Sequence, residues 1–176
     1  WKSGQRGFGV KNNKLALIGP HMPATKLEHY INQTATPTVP TYFFRTTFTL
    51  DAGVADLVGS VQGRVLYDDG LRVFVNGELV RGFADERVND ALGNNLQYAG
   101  TGNSNPSDEL FTFDGDLLQD GVNTVAVALY QDRDTSSDAY FDLAELTLIE
   151  AGQVFQAAPT RVILTPTESP STSQSF

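Results

Sequence analysis

Cysteine is absent from the 176 residues, which removes disulfides, thiol catalysis and cysteine-based zinc sites together. No apolar run approaches the roughly 20 residues that a membrane-spanning helix requires, so no membrane span is expected. Positive charge is scarce, with 12 Lys and Arg against 21 Asp and Glu and a net charge of −9. An acidic chain repels phosphate backbones, which excludes general nucleic-acid binding and disfavours anionic membrane surfaces. Histidine occurs only at His21 and His29, both in the irregular first third of the chain. Methionine is nearly missing and no long Ala/Leu/Glu/Lys stretch exists, so nothing suggests a long amphipathic helix.

What remains is rich in turn residues and rings: 16 Gly, 11 Phe and 6 Tyr. Aromatic and β-branched side chains suit a pleated surface. In Thr41–Leu50, Tyr42, Phe44, Thr46, Phe48 and Leu50 share one face, and Phe43, Arg45, Thr47 and Thr49 share the other. Strict alternation predicts a half-buried antiparallel strand. A second strand is predicted from Leu57 to Tyr67, and Asp68-Asp69-Gly70 reads as a turn. Asn76-Gly77, between Val73/Val75 and Leu79/Val80, predicts a tight hairpin, because a type I′ turn needs positive φ at both central residues. Phe111 and Phe113 mark another strand, and Asp120-Gly121 turns into Val125, Val127 and Leu129. The last strand runs from Ala139 to Ile149. Its apolar phase shifts between Leu143 and Leu146, which predicts a β-bulge near Ala144-Glu145.

About eight short strands with no amphipathic helix imply an all-β, antiparallel two-sheet sandwich. Residues 1–40, punctuated by Pro20, Pro23, Pro37 and Pro40, read as a loop over the sandwich, with a short helix or turn at Ala24–Tyr30. Residues 82–109 are polar and long for a connection, which suggests a functional loop or an insertion. After Gln156 a linker, a short strand at Arg161–Leu164 and a Ser/Thr/Pro-rich stretch follow. Residues 1–156 are therefore expected to form the sandwich and 157–176 a linker with the start of a following domain. The chain opens at Trp1 rather than Met, and is expected to be a processed fragment.

Each candidate site has a bland reading beside the functional one. Asp68 and Asp69 could hold calcium, which takes oxygen ligands, or could serve a turn and nothing more. Asp114, Asp116 and Asp120 fail the EF-hand spacing, since Leu118 stands where an oxygen donor belongs; a solvated acidic turn is expected. Asp132, Asp134 and Asp138 flank Ser136-Ser137 and are expected to keep a loop soluble, with assistance to a cation as the alternative. His21 and His29 read as surface or capping residues rather than a metal pair. A sugar site needs an aromatic platform beside polar side chains. Tyr98 has that setting among Asn94, Asn95, Gln97 and Asn103, with Tyr67 and Phe83 as secondary aromatics; loop packing is the alternative for Tyr98.

The ordered set Gly7-Phe8-Gly9, Tyr42-Phe43-Phe44-Arg45, Tyr67-Asp68-Asp69-Gly70, Val73-Phe74-Val75-Asn76-Gly77, Gly121–Val127 and Phe141-Asp142-Leu143 resembles bacterial galactose-binding-like jelly-roll modules. Such modules accompany secreted metallophosphoesterases and other large extracellular proteins, and the resemblance spans about residues 1–150. It implies a jelly roll clipped at its N-terminus. Residues 159–176 resemble the opening of the fibronectin-like domain that precedes the catalytic domain in purple acid phosphatase-like enzymes. The His, Asp and Asn clusters of a metallophosphoesterase are missing, so no catalytic residue is expected in this chain. The resemblance thus implies a secreted or cell-surface accessory module with a glycan or cell-wall ligand. The alternative is a spacer that packs on and orders the following domain. No cofactor is required, and calcium is the one these residues could take.

Overall fold

The computed structural model describes residues 3–31, 37–89 and 96–152, together with the backbone of Thr160–Arg161. The strands are β1 (Phe8–Lys11), β2 (Thr25–Lys26), β3 (Thr41–Leu50), β4 (Val58–Asp68), β5 (Gly70–Val75), β6 (Glu78–Phe83), β7 (Ser107–Asp114), β8 (Gly121–Tyr130), β9 (Asp138–Glu150) and β10 (Thr160–Arg161). One sheet has the order β2-β1-β9-β4-β7, with β10 also on β9; the other has the order β3-β8-β5-β6. Pairing is antiparallel except between β1 and β2. The chain is an all-β two-sheet sandwich. Residues 24–30 hold a bend at Ala24 and the two-residue strand β2 in place of the expected short helix or turn; the Ala24, Thr25 and Leu27 amides donate to the Gly7 and Gly9 carbonyls instead of within a helix.

Alternation along the strands builds the interior. Val61, Val65 and Tyr67 of β4, Leu71, Val73 and Val75 of β5, Phe111 and Phe113 of β7, and Val125, Val127 and Leu129 of β8 are buried in one cluster with Phe48 and Leu50 of β3. Each fully buried Val or Leu contributes about 1.5–3 kcal/mol relative to exposure. The expected bulge is present: Arg64 pairs with Glu145 but Val65 pairs with Leu143, so Ala144 is the extra residue. A slip of one residue would turn every following side chain outward. The bulge absorbs it, and Phe141 and Leu146, on opposite sides of Ala144, both stay in the core. The Asn76-Gly77 hairpin also forms, with φ of 50° and 95° at its two central residues.

Two loop segments cover the outer faces of the sheets at one end. Ile18, from the N-terminal third, packs with Leu66 and Tyr140 on the first sheet. Val88 and Ala99, from the long β6–β7 connection, pack with Ala128, Tyr130 and Phe74 on the second. Arg72 ties this cover down by pairing with Asp85 and donating to the Val88 carbonyl. The described part of the 82–109 connection is therefore a fixed cover rather than a free loop. The expected linker at 157–159 lies outside the described residues, as does most of the chain after it; Thr160–Arg161 pairs with Leu148 and Thr147 of β9.

Candidate functional site

β4 ends at Asp68 in the first sheet and β5 begins at Gly70 in the second. Asp68-Asp69 is therefore the corner where the chain crosses between layers, and their peptide bond is cis. Gly70 has to be glycine on steric grounds: a Cβ there would lie 2.8 Å from both the Ala84 carbonyl oxygen and the Ala99 side chain. The β8–β9 loop begins immediately beyond Tyr130, which pairs with Gly70, so Asp132 arrives at the same corner. Segment 99–103 closes over it, with the Ala99 and Gly100 amides donating to the carbonyls of Gln131 and Asp132 at 2.8 and 2.9 Å.

The corner buries three carboxylates: Asp68 is 2% exposed, Asp69 3% and Asp132 8%. Asp69 accepts from the Asn103 amide at 2.9 Å and from the Asp132 amide at 2.8 Å, which locks both covering loops to the corner. Oδ1 of Asp68 and Oδ1 of Asp132 are buried without any hydrogen-bond partner. Asp132 Oδ2 meets Arg133 at 3.0 Å. Burial pushes the Asp68 carboxyl well above its usual range, with the adjacent Asp69 charge adding to the effect. Asp69 is also raised by burial, opposed by the two amides it accepts from. Both shifts favour keeping a proton within the pair. A buried orphaned carboxylate oxygen is costly unless a proton or a cation meets it.

The sequence-derived site residues separate in space. Asp68, Asp69 and Asn103 come together, and Asp132, expected to serve solubility, joins them as a buried member. No local signal could have revealed this, because Asp132 reaches the corner through pairing with residues about sixty positions away. The side-chain amide of Gln97 exchanges two hydrogen bonds with the backbone of Asn89, and its backbone engages Thr41 Oγ1. Tyr98 is half-buried and donates its hydroxyl to the Thr38 carbonyl at 2.7 Å. Tyr67 and Phe83 lie in the core, rings stacked at 5.4 Å. Asn94 and Asn95 lie outside the described residues.

The two histidines sit apart. His21 stacks on Tyr140 at 5.3 Å. His29 is not a surface residue: it is 0% exposed, and its Nε2 donates to the Ser136 carbonyl at 3.1 Å. Burial lowers its pKa, so the ring is neutral and its Nδ1 is a buried acceptor with no partner. Among the described residues no three His, Asp or Glu side chains form a ready metal cage. A depression of about 640 Å³ opens at the opposite end, beside Ser60, Gln62, Thr112 and Asp114. None of the buried unpartnered atoms borders it; among the described residues these are Asp68 Oδ1 and Asp132 Oδ1 at the corner, with His29 Nδ1, Gln131 Oε1 and Asp142 Oδ1.

The corner offers oxygen donors, two of them, Asp68 Oδ1 and Asp132 Oδ1, orphaned and buried, while the Asn103 side chain turns its amide NH2 to Ser107. Calcium takes six to eight such ligands and accepts backbone carbonyls, water and ligand hydroxyls among them, so a full cage of side chains is not required.

No family model matches this chain, and no curated protein matches it. Among solved structures, a PA14 sugar-binding domain from an RTX adhesin is similar at 21% identity, over 71% of this chain and 52% of that chain, with a TM-score of 0.36. The chain thus spans about half the length of that protein.

Proposed function

We propose that this protein is a non-catalytic carbohydrate-binding module that holds its ligand at the Asp68-Asp69 corner with the help of calcium. The observation that carries the reading is the pair of orphaned, buried oxygens, Asp68 Oδ1 and Asp132 Oδ1, at the loop-bearing end of the sandwich. Asp68, Asp69 and Asp132 would hold the ion, with water and ligand hydroxyls completing its shell. Bound there, calcium supplies a positive centre to which vicinal sugar hydroxyls can coordinate. The chain's own residues do the rest: Asp69 fixes both covering loops through its two amide bonds, and those loops form the rim that a glycan meets. The resemblance of residues 1–150 to galactose-binding-like modules supports a role as an accessory module of a larger exported protein, of the kind that includes metallophosphoesterases.

Two measurements test this. Saturating calcium is expected to raise the melting temperature by about 5–10 °C, the size of a ligand present at about 100 times its dissociation constant. Asp68→Asn should abolish that rise, while its amide can still donate to Asp69 and so preserve the fold. A glycan array read with calcium and with chelator should show binding only in the first. Binding that survives chelation, or no calcium effect on melting, overturns the calcium assignment. A calcium-dependent shift with an empty array favours the spacer role instead.

A further inference from the structure

Two arginines stand over the acidic corner of a strongly acidic chain. Arg64 and Arg72 are committed to structure by pairing with Asp108 and Asp85. Arg87 is exposed and, among the described residues, meets no carboxylate. It lies along Gly100, close enough that a Cβ there would come within 2.8 Å of Arg87 Cδ and 3.1 Å of Nη1. Gly100 donates its amide to the Asp132 carbonyl, so the Arg87 guanidinium sits beside the segment that closes the corner. Arg133 approaches from the other loop. Its side chain is 69% exposed and touches Asp132 Oδ2 through Nη1. A guanidinium carries five N–H donors, so that contact leaves most of Arg133 facing solvent. In the same covering segment Gly102 leaves room against Asp132, the carboxylate that Arg133 touches: a Cβ there would be 2.7 Å from Oδ2. The rim is therefore cationic while the floor is anionic.

We infer that the corner selects acidic sugars, with Arg87 and Arg133 receiving the sugar carboxylate while its hydroxyls face the floor. This rests on the carbohydrate-binding reading above and adds the substrate class to it. A planar guanidinium matches a carboxylate with two parallel hydrogen bonds. The overall negative charge slows the approach of an acidic ligand, but charges more than a Debye length of about 8 Å from the rim are largely screened there.

The test uses matched pairs that differ only in the carboxylate: methyl glucuronide against methyl glucoside, and methyl galacturonide against methyl galactoside, with a methyl sialoside as a second acidic source. Titration of the wild-type protein in calcium should give about tenfold tighter binding of at least one acidic member, the worth of one charge-assisted pair. Arg87→Gln, at the arginine that meets no carboxylate among the described residues, should weaken that preference and leave neutral-sugar binding unchanged, and adding Arg133→Gln should remove the preference. Raising the salt to about 1 M, where the Debye length is about 3 Å, should shrink the preference in the wild type alone. Equal binding of acidic and neutral sugars, or a preference that survives the double substitution, overturns this inference and leaves the calcium-dependent glycan reading standing. Failure of every sugar to bind overturns both.

Discussion

The two ends of the sandwich carry the same local chemistry and treat it in opposite ways. At one end Asp120-Gly121 joins β7 to β8; at the other Asp68-Asp69-Gly70 joins β4 to β5. Asp120 stays in solvent, accepts from the Gly53 and Ala55 amides, and is held below the usual carboxylate range by those bonds. Beside it, buried Asn123 and the hairpin residue Asn76 bond to each other and to the carbonyls of Leu117, Gln119 and Gly121. Every polar group in that network has a partner. At the corner, by contrast, the connecting loops are long and fold over the carboxylates, and two of the buried oxygens are left without partners. An acidic turn becomes a site when something distant covers it without satisfying it.

The most forceful way to break that comparison is to remove the acceptor that holds the covered end together. Asp69→Ala orphans the Asn103 and Asp132 amides, at about 1–3 kcal/mol each, so urea denaturation should show a loss of about 2–6 kcal/mol. Calcium should widen that loss, because the ion stabilises only the wild type. Asn123→Ala, at the satisfied end, should cost a similar amount with or without calcium. If both variants respond to calcium alike, the ends do not differ in the way proposed.

A smaller effect separates the ends by pH. Burial holds the His29 ring below its ordinary value near 6.5, with Asp138 and Lys26 as the charges acting on it, Ser136 as its hydrogen-bond partner and Tyr30 edge-on at 4.4 Å. The unfolded chain then takes up the proton more readily than the native state. His29 stability is complete above about 6.5 and is lost below it, by at most about 1.4 kcal/mol per pH unit until the native ring titrates. The raised carboxyls of the corner pull the other way over the same range, so the quantity to measure is the difference between wild type and His29→Gln. That difference should shrink as the pH falls from 7 to 5; a constant difference would place the ring in a more solvated setting than its zero exposure indicates.

The layers and most of the strands were legible because their signals are local. Alternation in Thr41–Leu50 tells which face is buried, Asn76-Gly77 carries the dihedrals of its own turn, and the phase change around Ala144 announces a bulge before any partner is known. The corner was only half legible. Asp68 and Asp69 stood out as a pair, but whether they are solvated or buried depends on Ala99–Asn103 and Asp132, which reach them only through the fold. The same dependence misplaced His29, whose burial comes from the loop at Ser136, more than a hundred residues away. It also left the polar stretch around Tyr98 open between ligand contact and loop packing, and only the fold reveals its contacts to Thr38, Thr41 and Asn89.

The smallest effect is the most discriminating, because it concerns an acidic turn that shares its local chemistry with the corner pair. Asp120→Asn keeps the shape of the side chain and one acceptor oxygen, and removes the charge that strengthens both bonds to the β3–β4 connection. Hydrogen exchange at the Gly53 and Ala55 amides should quicken several-fold, with little change at Asn103 and Asp132. Exposure keeps the global cost small, since water can replace either bond. In wild type the same two amides should lose protection as the pH falls below about 4, because a carboxylate whose native pKa is depressed stabilises above its unfolded value and stops doing so once protonated. Calcium should alter none of this. Protection at Gly53 that depends on calcium would mean that Asp120 also ligates the ion, and the two acidic turns would then be one kind of site rather than two.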